Sequence, residues 1–123
     1  MPDDRHLPQA AAIDAYGRGG FRFADMSHRG SILCLPDGIW AWPVGAPQDI
    51  TGESLERVFA AKGVELFMLG TGKQPWLMPE ALRWRFRDAR IGLDVMQTGA
   101  AARTYNVLAA ENRRVAAALI AVD

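Results

Sequence analysis

Two glycine-bearing turns carry residue types that could bind an anion. The turn Gly70-Thr71-Gly72 directly follows a buried apolar run, and Thr98-Gly99 follows the next apolar run and opens a predicted helix. Glycine lets a backbone approach a ligand closely, and the free N–H groups at the start of a helix attract negative charge. Arg103, one turn into the helix, would add a cation. Tight turns with a helix cap explain the same residues without any ligand.

The helix that follows Thr98 is predicted to present polar residues on one face. Asn106 is a poor helix former at an interior position, so its amide is expected to serve either a neighbouring loop or a partner. Glu111 is expected to pair with Arg103 or Arg114 on the helical surface. The candidate ligand or partner surface comprises Gly70, Thr71, Gly72, Thr98, Arg103, Asn106, Glu111 and Arg113.

The residue pattern does not predict a catalytic or metal site. Two distant histidines, His6 and His28, and one cysteine, Cys34, lack the spacing of metal ligands. Ser27 beside His28 has no nucleophile elbow or oxyanion loop around it, and Glu111 has no second carboxylate nearby in sequence. Cys34 lies in an apolar strand-like run, which predicts a buried and unreactive thiol. No cofactor is predicted.

Two further sets of side chains each have two possible interpretations. Arg83, Arg87 and Arg90 lie on one face of a predicted helix. That face is either a solvated surface or a binding site for an acidic protein. Trp40 and Trp42 alternate and therefore face one side of a strand, as core residues or, if exposed, as a protein contact. Nucleic acid binding is not predicted, because no basic surface interleaved with aromatic residues is present.

The elements that position these residues change period along the chain. Alternating apolar residues and turn signals predict strands first, and helices then alternate with buried strands. Helices that connect strands imply parallel pairs with helices packed on the sheet, so the sequence predicts an α/β fold. Strands are predicted over 11–16, 21–23, 31–35, 39–42, 64–69, 93–96 and 115–122, and helices over 51–63, from 79 onward and over 100–112.

Composition predicts one domain over 11–123 after a flexible terminus at 1–10. The 123 residues are 50% hydrophobic, and 14 Lys and Arg balance 14 Asp and Glu. The zero net charge argues against a broad basic surface that would bind nucleic acid or an anionic membrane. The longest apolar run, 115–122, is far shorter than the roughly 18 residues of a spanning helix. One cysteine and no signal-like start predict a cytoplasmic protein, with any membrane association made through a partner.

Several of these segments together resemble one known family. They are Leu69-Gly70-Thr71-Gly72, Pro79, Met96-Gln97-Thr98, 101–108, Glu111, Arg113 and Val115. From about residue 11 to residue 122 the chain resembles the domain of unknown function 498 family. The resemblance implies a single three-layer α/β domain, with a mixed central sheet, crossover helices and an additional antiparallel hairpin layer. It implies no catalytic residues.

The resemblance also favours one function over another. The family includes assembly factors of mitochondrial respiratory complex I, which implies a non-enzymatic adaptor whose partners include membrane-complex subunits. The alternative is a small-ligand or anion-binding domain, or a weak enzyme, that uses the Gly70–Gly72 turn and the start of the third helix. The oligomeric state is left open by the sequence.

Overall fold

A mixed six-stranded sheet forms the centre of the computed structural model, which describes residues 5–123. The elements in chain order are β1 (Arg5–Leu7), β2 (Ala15–Gly17), β3 (Gly20–Phe23), β4 (Met26–Arg29), β5 (Ile32–Leu35), β6 (Gly38–Ala41), α1 (Glu56–Ala60), β7 (Leu66–Gly70), α2 (Glu80–Asp88), β8 (Gly92–Met96), α3 (Thr98–Ala110) and β9 (Val115–Leu119). Short 3-10 turns at Pro47–Asp49 and Glu53–Leu55 precede α1.

The central sheet joins an antiparallel half to a parallel half. Its strand order is β1-β6-β5-β9-β7-β8, and β9 is the strand at which the two halves meet. It pairs antiparallel with β5 and parallel with β7. All five residues of β9 are buried, which explains why it reads as a continuous apolar run without alternation.

Alternate residues of the sheet pack into two separate cores. On the α1/α2 face, Phe67 and Leu69 of β7 contact the buried residues of α1 and α2. On the α3 face, Met68 of β7 and Leu119 of β9 pack with α3 and the small sheet. Right-handed crossovers explain the arrangement, because β7-α2-β8 runs toward the sheet edge and β8-α3-β9 runs back. Their helices therefore lie on opposite faces.

A second sheet of three antiparallel strands, β2-β3-β4, completes the α3 layer. Phe21 and Phe23 of β3 are buried in the same core as Met68 and Tyr105. The predicted three-layer α/β fold with a mixed central sheet, crossover helices and an added hairpin layer is therefore confirmed. Among residues 5–123 no helix is both long and apolar enough to cross a bilayer.

Several element predictions differ from the structure at their ends. The helix predicted over 51–63 is α-helical only at Glu56–Ala60, because Thr51 and Ser54 exchange side-chain and backbone hydrogen bonds in the turn before it. The strand predicted over 11–16 forms only from Ala15. The sequence patterns did not predict β4.

The amino-terminal segment also differs from its predicted form. Residues 5–7 lie in the segment 1–10 that was predicted to be a flexible terminus, and they form an edge strand paired with β6. Residues 8–10 are exposed and lie in neither a helix nor a strand, and residues 1–4 lie outside the described residues. Three residues are too few to give a recognisable alternation, so this strand forms through pairing with β6 and not through local pattern.

Candidate functional site

The carboxyl ends of the three parallel strands lie level with one another. Gly70 is in register with Met96 of β8 on one side and with Leu119 of β9 on the other. The turn after β7 and the start of α3 therefore meet, as the order of strands and helices predicts. This edge is where open α/β sheets usually bind ligands.

The Thr98 side chain connects all three strand ends. Its hydroxyl donates to the carbonyl of Ile120 at 2.7 Å and accepts the N–H of Gly72 at 2.9 Å. The Thr98 N–H donates in turn to the Gly72 carbonyl at 3.0 Å. Thr98 is completely buried, so these bonds satisfy polar groups that water does not reach.

The two glycines of the turn have structural reasons for their identity. A Cβ on Gly70 would lie 2.9 Å from the Cα of Thr98 and 3.0 Å from Cδ2 of Leu119, so only glycine lets α3 approach β7 this closely. Gly72 has a φ of +87°, which side-chain-bearing residues rarely adopt. Both features serve packing between a helix and a strand.

The hydroxyl and backbone of Thr71 are also engaged within the chain. Its hydroxyl donates to the Gln74 carbonyl at 2.7 Å, and its N–H donates to the Met96 carbonyl at 2.9 Å. The amide of Gln97 donates to the Lys73 carbonyl at 3.0 Å. The Thr71 hydroxyl and N–H, the Gly72 N–H and the Thr98 hydroxyl and N–H therefore all donate to protein atoms. This arrangement fits the interpretation of the turn as a structural cap.

Asn106 binds a loop that is distant in sequence. Its Oδ1 accepts the N–H of Ile13, and its Nδ2 donates to the Ile13 carbonyl, each at 2.8 Å. Ile13 is buried in the α3 core. Of the two roles expected for the Asn106 amide, the structure shows the one in which it holds a neighbouring loop.

The outward face of α3 carries the remaining candidate residues of that helix. Arg103, Val107 and Glu111 are exposed at successive turns, and Val107 is 58% exposed despite its apolar side chain. The expected pairing of Glu111 with Arg103 or Arg114 is wrong, since none forms among residues 5–123. The Arg114 guanidinium instead donates to the carbonyls of Gly63 and Lys62, and Arg113 lies 3.8 Å from Glu65.

The arginines of α2 mostly contact their own domain. Arg85 lies 3.8 Å from a Glu56 carboxylate oxygen, and its guanidinium carbon lies 4.1 Å from the centre of the Phe59 ring. Arg87 stacks on Trp84, which is 48% exposed. Of the three predicted to share a face, Arg83 donates to the Met78 carbonyl, Arg87 contacts Trp84, and all including Arg90 are exposed, as the solvated-surface interpretation predicts.

Trp40 and Trp42 are both buried, which confirms that they face the same core and serve packing. The indole N–H of Trp42 donates to the Ser54 carbonyl at 2.8 Å. The alternative of an exposed tryptophan pair at a protein contact is wrong, because the α1/α2 face covers both rings.

A cleft on the small sheet was not found by sequence reasoning. It has a volume of about 680 Å³ and is lined by residues of all three strands, including Arg18, Arg22 and Arg29. We name it the arginine cleft. A second cleft of about 550 Å³ lies between β2 and α3, beside Arg103 and Asn106. Both clefts share Ala15 and Tyr16 as lining residues, so they adjoin.

Among residues 5–123, three buried or partly buried groups have shifted protonation equilibria. Burial raises the pKa of the Cys34 thiol, and burial and then the neighbouring Cys34 raise the pKa of Tyr105. Burial, followed by the nearby His6, lowers the pKa of His28; the two imidazole centres are 4.6 Å apart. The burial and raised pKa of Cys34 confirm the predicted buried thiol, which is protonated at neutral pH.

Within residues 5–123, no cluster of three or more His, Cys, Asp and Glu side chains is placed to hold a metal ion. The two histidines come together through β1 and β4, yet Cys34 lies in the interior of the α3 core. These positions do not bring a nucleophile and a base to one open site.

Comparisons with known proteins agree with this architecture. The model for proteins of unknown function described as DUF498/DUF598 matches residues 13–120. The chain is 36% identical over 116 residues to the mouse protein "NADH dehydrogenase [ubiquinone] 1 alpha subcomplex assembly factor 3", covering 93% of this chain and 62% of the mouse protein. It is also 36% identical over 121 residues to an uncharacterised Rhodobacter capsulatus protein, covering 97% and 91% of the two chains.

Solved structures show the same fold at higher identity. The crystal structure of an outer membrane protein from Bartonella henselae is 51% identical with a TM-score of 0.91, and the match covers 96% of this chain and 100% of that one. The NMR structure of a Rhodopseudomonas palustris protein is also 51% identical, with a TM-score of 0.84 and coverage of 99% and 91%. The chain spans less than two thirds of the mouse assembly factor.

Proposed function

The chain belongs to the DUF498/DUF598 family of proteins of unknown function, and on that premise we propose that it is a non-enzymatic adaptor that helps assemble a multisubunit membrane complex. The observation that carries the proposal is the similarity, at 36% identity over 93% of this chain, to a mouse protein named as an NADH dehydrogenase assembly factor. The corresponding human protein is 32% identical over 94% of this chain.

The internal use of polar groups supports an adaptor over an enzyme. The Thr98 hydroxyl, both amide atoms of Asn106 and the Gly72 N–H all bind other parts of the chain. Because these groups already form hydrogen bonds within the protein, they hold its elements in place and are not available to bind a substrate. The proposed site is therefore a surface for a protein and not a pocket for a reaction.

We place the partner contact on the outward face of α3. Arg103, Val107, Ala110 and Glu111 are exposed there, and Val107 supplies an apolar centre among polar neighbours. Protein contacts commonly combine an apolar centre with a polar rim. The helix is fixed by Asn106 and Thr98, so this face is presented without a change of shape on binding.

The name of the mouse relative supports a class of partner. We propose subunits of an NADH dehydrogenase or a related respiratory complex, bound in the cytoplasm or at a membrane surface through those subunits. This chain spans 62% of the length of the mouse factor. The proposed contacts are therefore those of the domain that the two proteins share.

A native pull-down from a membrane-containing lysate of the host tests the proposal. Tagged wild-type protein should enrich NADH dehydrogenase subunits, and Val107→Asp should lower that enrichment at least about fivefold because it places a charge in the apolar centre. Leu77→Asp is the matched control, since Leu77 is 80% exposed and precedes α2 on the opposite face of the sheet.

The outcomes separate clearly. Loss with Val107→Asp and retention with Leu77→Asp would support both the adaptor role and its α3 surface. Equal enrichment of respiratory subunits by all three proteins would contradict the α3 surface. No enrichment of respiratory subunits by folded wild-type protein would contradict the adaptor role itself.

A further inference from the structure

We infer that the arginine cleft binds an extended acidic segment of a protein partner. The inference deepens the proposed function by naming the chemistry of one partner segment, and it rests on that function only for the partner being a protein. It uses the small sheet and not the outward face of α3. The two surfaces can therefore be tested separately.

The strand register brings two of the arginines together. Arg22 on β3 is opposite Ser27 on β4, and Arg29 is opposite Gly20 two positions along. Side chains two apart along a strand share a face, so Arg22 and Arg29 are diagonal neighbours on the solvent side. Arg18 adds a third guanidinium from the turn between β2 and β3.

Small residues leave open space between these arginine side chains. Ala15, Gly17, Gly20 and Ser27 occupy the strand positions around Arg22 and line the cleft. A Cβ on Gly20 would overlap the His28 carbonyl, so this position cannot carry a larger residue without a shift of β4. Glycine inside a strand often marks a place where another backbone approaches closely.

The charge of the arginine cleft is not balanced by the chain. Arg18, Arg22 and Arg29 are exposed, and within residues 5–123 none of them forms an ion pair. Among residues 5–123 no Asp or Glu lines this cleft, although the whole chain has zero net charge. The positive potential is therefore local. Guanidinium groups pair with carboxylates through two parallel hydrogen bonds, which favours an acidic ligand.

The shape favours an extended segment over a single small anion. The arginine cleft extends over β2, β3 and β4, and two strand spacings give roughly 10 Å, the length of about three extended residues. The second cleft lies beyond the edge strand β2, and Asp14 and Arg103 both line it. The unbalanced positive charge is therefore in the arginine cleft, where the acidic residues of the segment are expected.

The concave lining argues against a bilayer surface as the occupant. Lipid headgroups form a broad, nearly flat layer, and a basic surface that binds them must face it as a plane. Here the three arginines line a recess of about 680 Å³. A peptide chain can enter such a recess, whereas a flat layer contacts only its rim.

Fluorescence anisotropy with a labelled hexaglutamate peptide tests the inference on the full chain. Wild-type protein should bind the peptide, and added NaCl should weaken binding. Arg22→Ala/Arg29→Ala should weaken it about tenfold, because two charge-assisted pairs are lost. Arg22→Lys/Arg29→Lys keeps the charge and loses the forked geometry, so about a threefold loss is expected.

The matched control removes two arginines elsewhere. Arg83→Ala/Arg87→Ala lowers the net charge equally on α2, at the opposite face of the central sheet, and should change binding less than about twofold. Peptide-induced shifts of the Gly17 and Gly20 amide signals should locate the bound peptide. Unchanged thermal unfolding of each variant would show that the fold is retained.

Three results would overturn the inference. One is no binding of hexaglutamate by wild-type protein at low salt. Another is an equal loss of binding in the two alanine pairs, which would show only a response to net charge. A third is Arg22- and Arg29-dependent binding to vesicles of phosphatidylcholine and phosphatidylserine without binding to hexaglutamate, which would assign the cleft to a lipid. Absence of respiratory subunits in the pull-down would leave the peptide result unaffected.

Discussion

Asn106 holds Ile13 through both backbone polar atoms, with N–H to Oδ1 and Nδ2–H to carbonyl distances of 2.8 Å across 93 positions of sequence. The amide mimics a strand partner, because it supplies one acceptor and one donor to a single residue. It fixes the segment that leads into β2 against the side of α3. Ile13 and Asn106 both line the second cleft, so this contact forms part of its wall.

Replacement of Asn106 by Asp tests the clamp. The carboxylate keeps the acceptor and loses the donor, so the Ile13 carbonyl is left without its partner. Because an unsatisfied buried group costs about 1–3 kcal/mol, the free energy of unfolding should fall by that amount in urea denaturation. Gln9→Glu is the control, as Gln9 is exposed and lies outside the helices and strands, and it should change stability by less than about 0.5 kcal/mol. Equal effects of the two substitutions would disprove the clamp.

Replacement of Thr98 by Val tests the connection of the three strand ends. Valine has nearly the same shape but no hydroxyl, which leaves the Gly72 N–H and the Ile120 carbonyl unpaired. We expect a loss of at least about 2 kcal/mol in the free energy of unfolding. Thr98→Ser retains the hydroxyl and should recover most of that loss. A Thr98→Val protein as stable as wild type would mean that the hydroxyl has no structural role.

Replacement of Gly70 by Ala tests the close approach of α3 to β7. The added methyl would lie 2.9 Å from the Cα of Thr98, so the helix backbone must move. Such overpacking should destabilise the protein by about 1–3 kcal/mol, as measured by thermal or chemical unfolding. Gly45→Ala is the matched control, because nothing lies within 4 Å of the added Cβ. A neutral Gly70→Ala would argue against the packing explanation for this glycine.

Stability should decrease as the pH falls through the titration of His28. Burial and the nearby His6 lower the pKa of His28 below its ordinary value of 6.5, and a hydrogen bond with the Ser31 backbone acts in the opposite direction. Below that value the unfolded chain binds the extra proton more readily than the folded chain, so folding becomes less favourable until the folded group also titrates.

Chemical denaturation between about pH 7.5 and about pH 5.5 measures this effect. His28→Gln cannot take up the proton, so its free energy of unfolding should vary less with pH than that of wild type. Carboxylates titrate mostly below this range and contribute little to the difference. Identical pH profiles for the two proteins would show that His28 is not a source of the pH dependence.

Cys34 should react slowly with a thiol reagent in the native protein. Its side chain is buried, and burial raises its pKa, so both access and thiolate formation are suppressed. A chromogenic disulfide reagent should label it completely in denaturing guanidinium and at a rate at least about a hundredfold lower under native conditions. Rapid labelling of the folded protein would contradict the burial of the Cys34 side chain.

The order of the central and carboxyl-terminal elements was predictable because it depends on local patterns. Glycine and proline mark the ends of β7, α2 and β8, and apolar periodicity identifies the strands between them. The resemblance to a known family supplied the layer arrangement, which the two cores confirm. Burial of Cys34 also followed from its apolar run, whereas alternation predicted only that Trp40 and Trp42 share a face, and the structure decided that both are buried.

The sequence alone determined an α/β domain, its helical and strand segments from α2 onward, and an Asn106 whose amide had to be used. Tertiary structure decided which groups meet: Ile13 with Asn106, Arg22 beside Arg29, and Glu65 with Arg113. Local periodicity follows from backbone geometry and can be read along the chain. Contacts between distant segments depend on strand register and layer packing, which no short stretch of sequence encodes by itself.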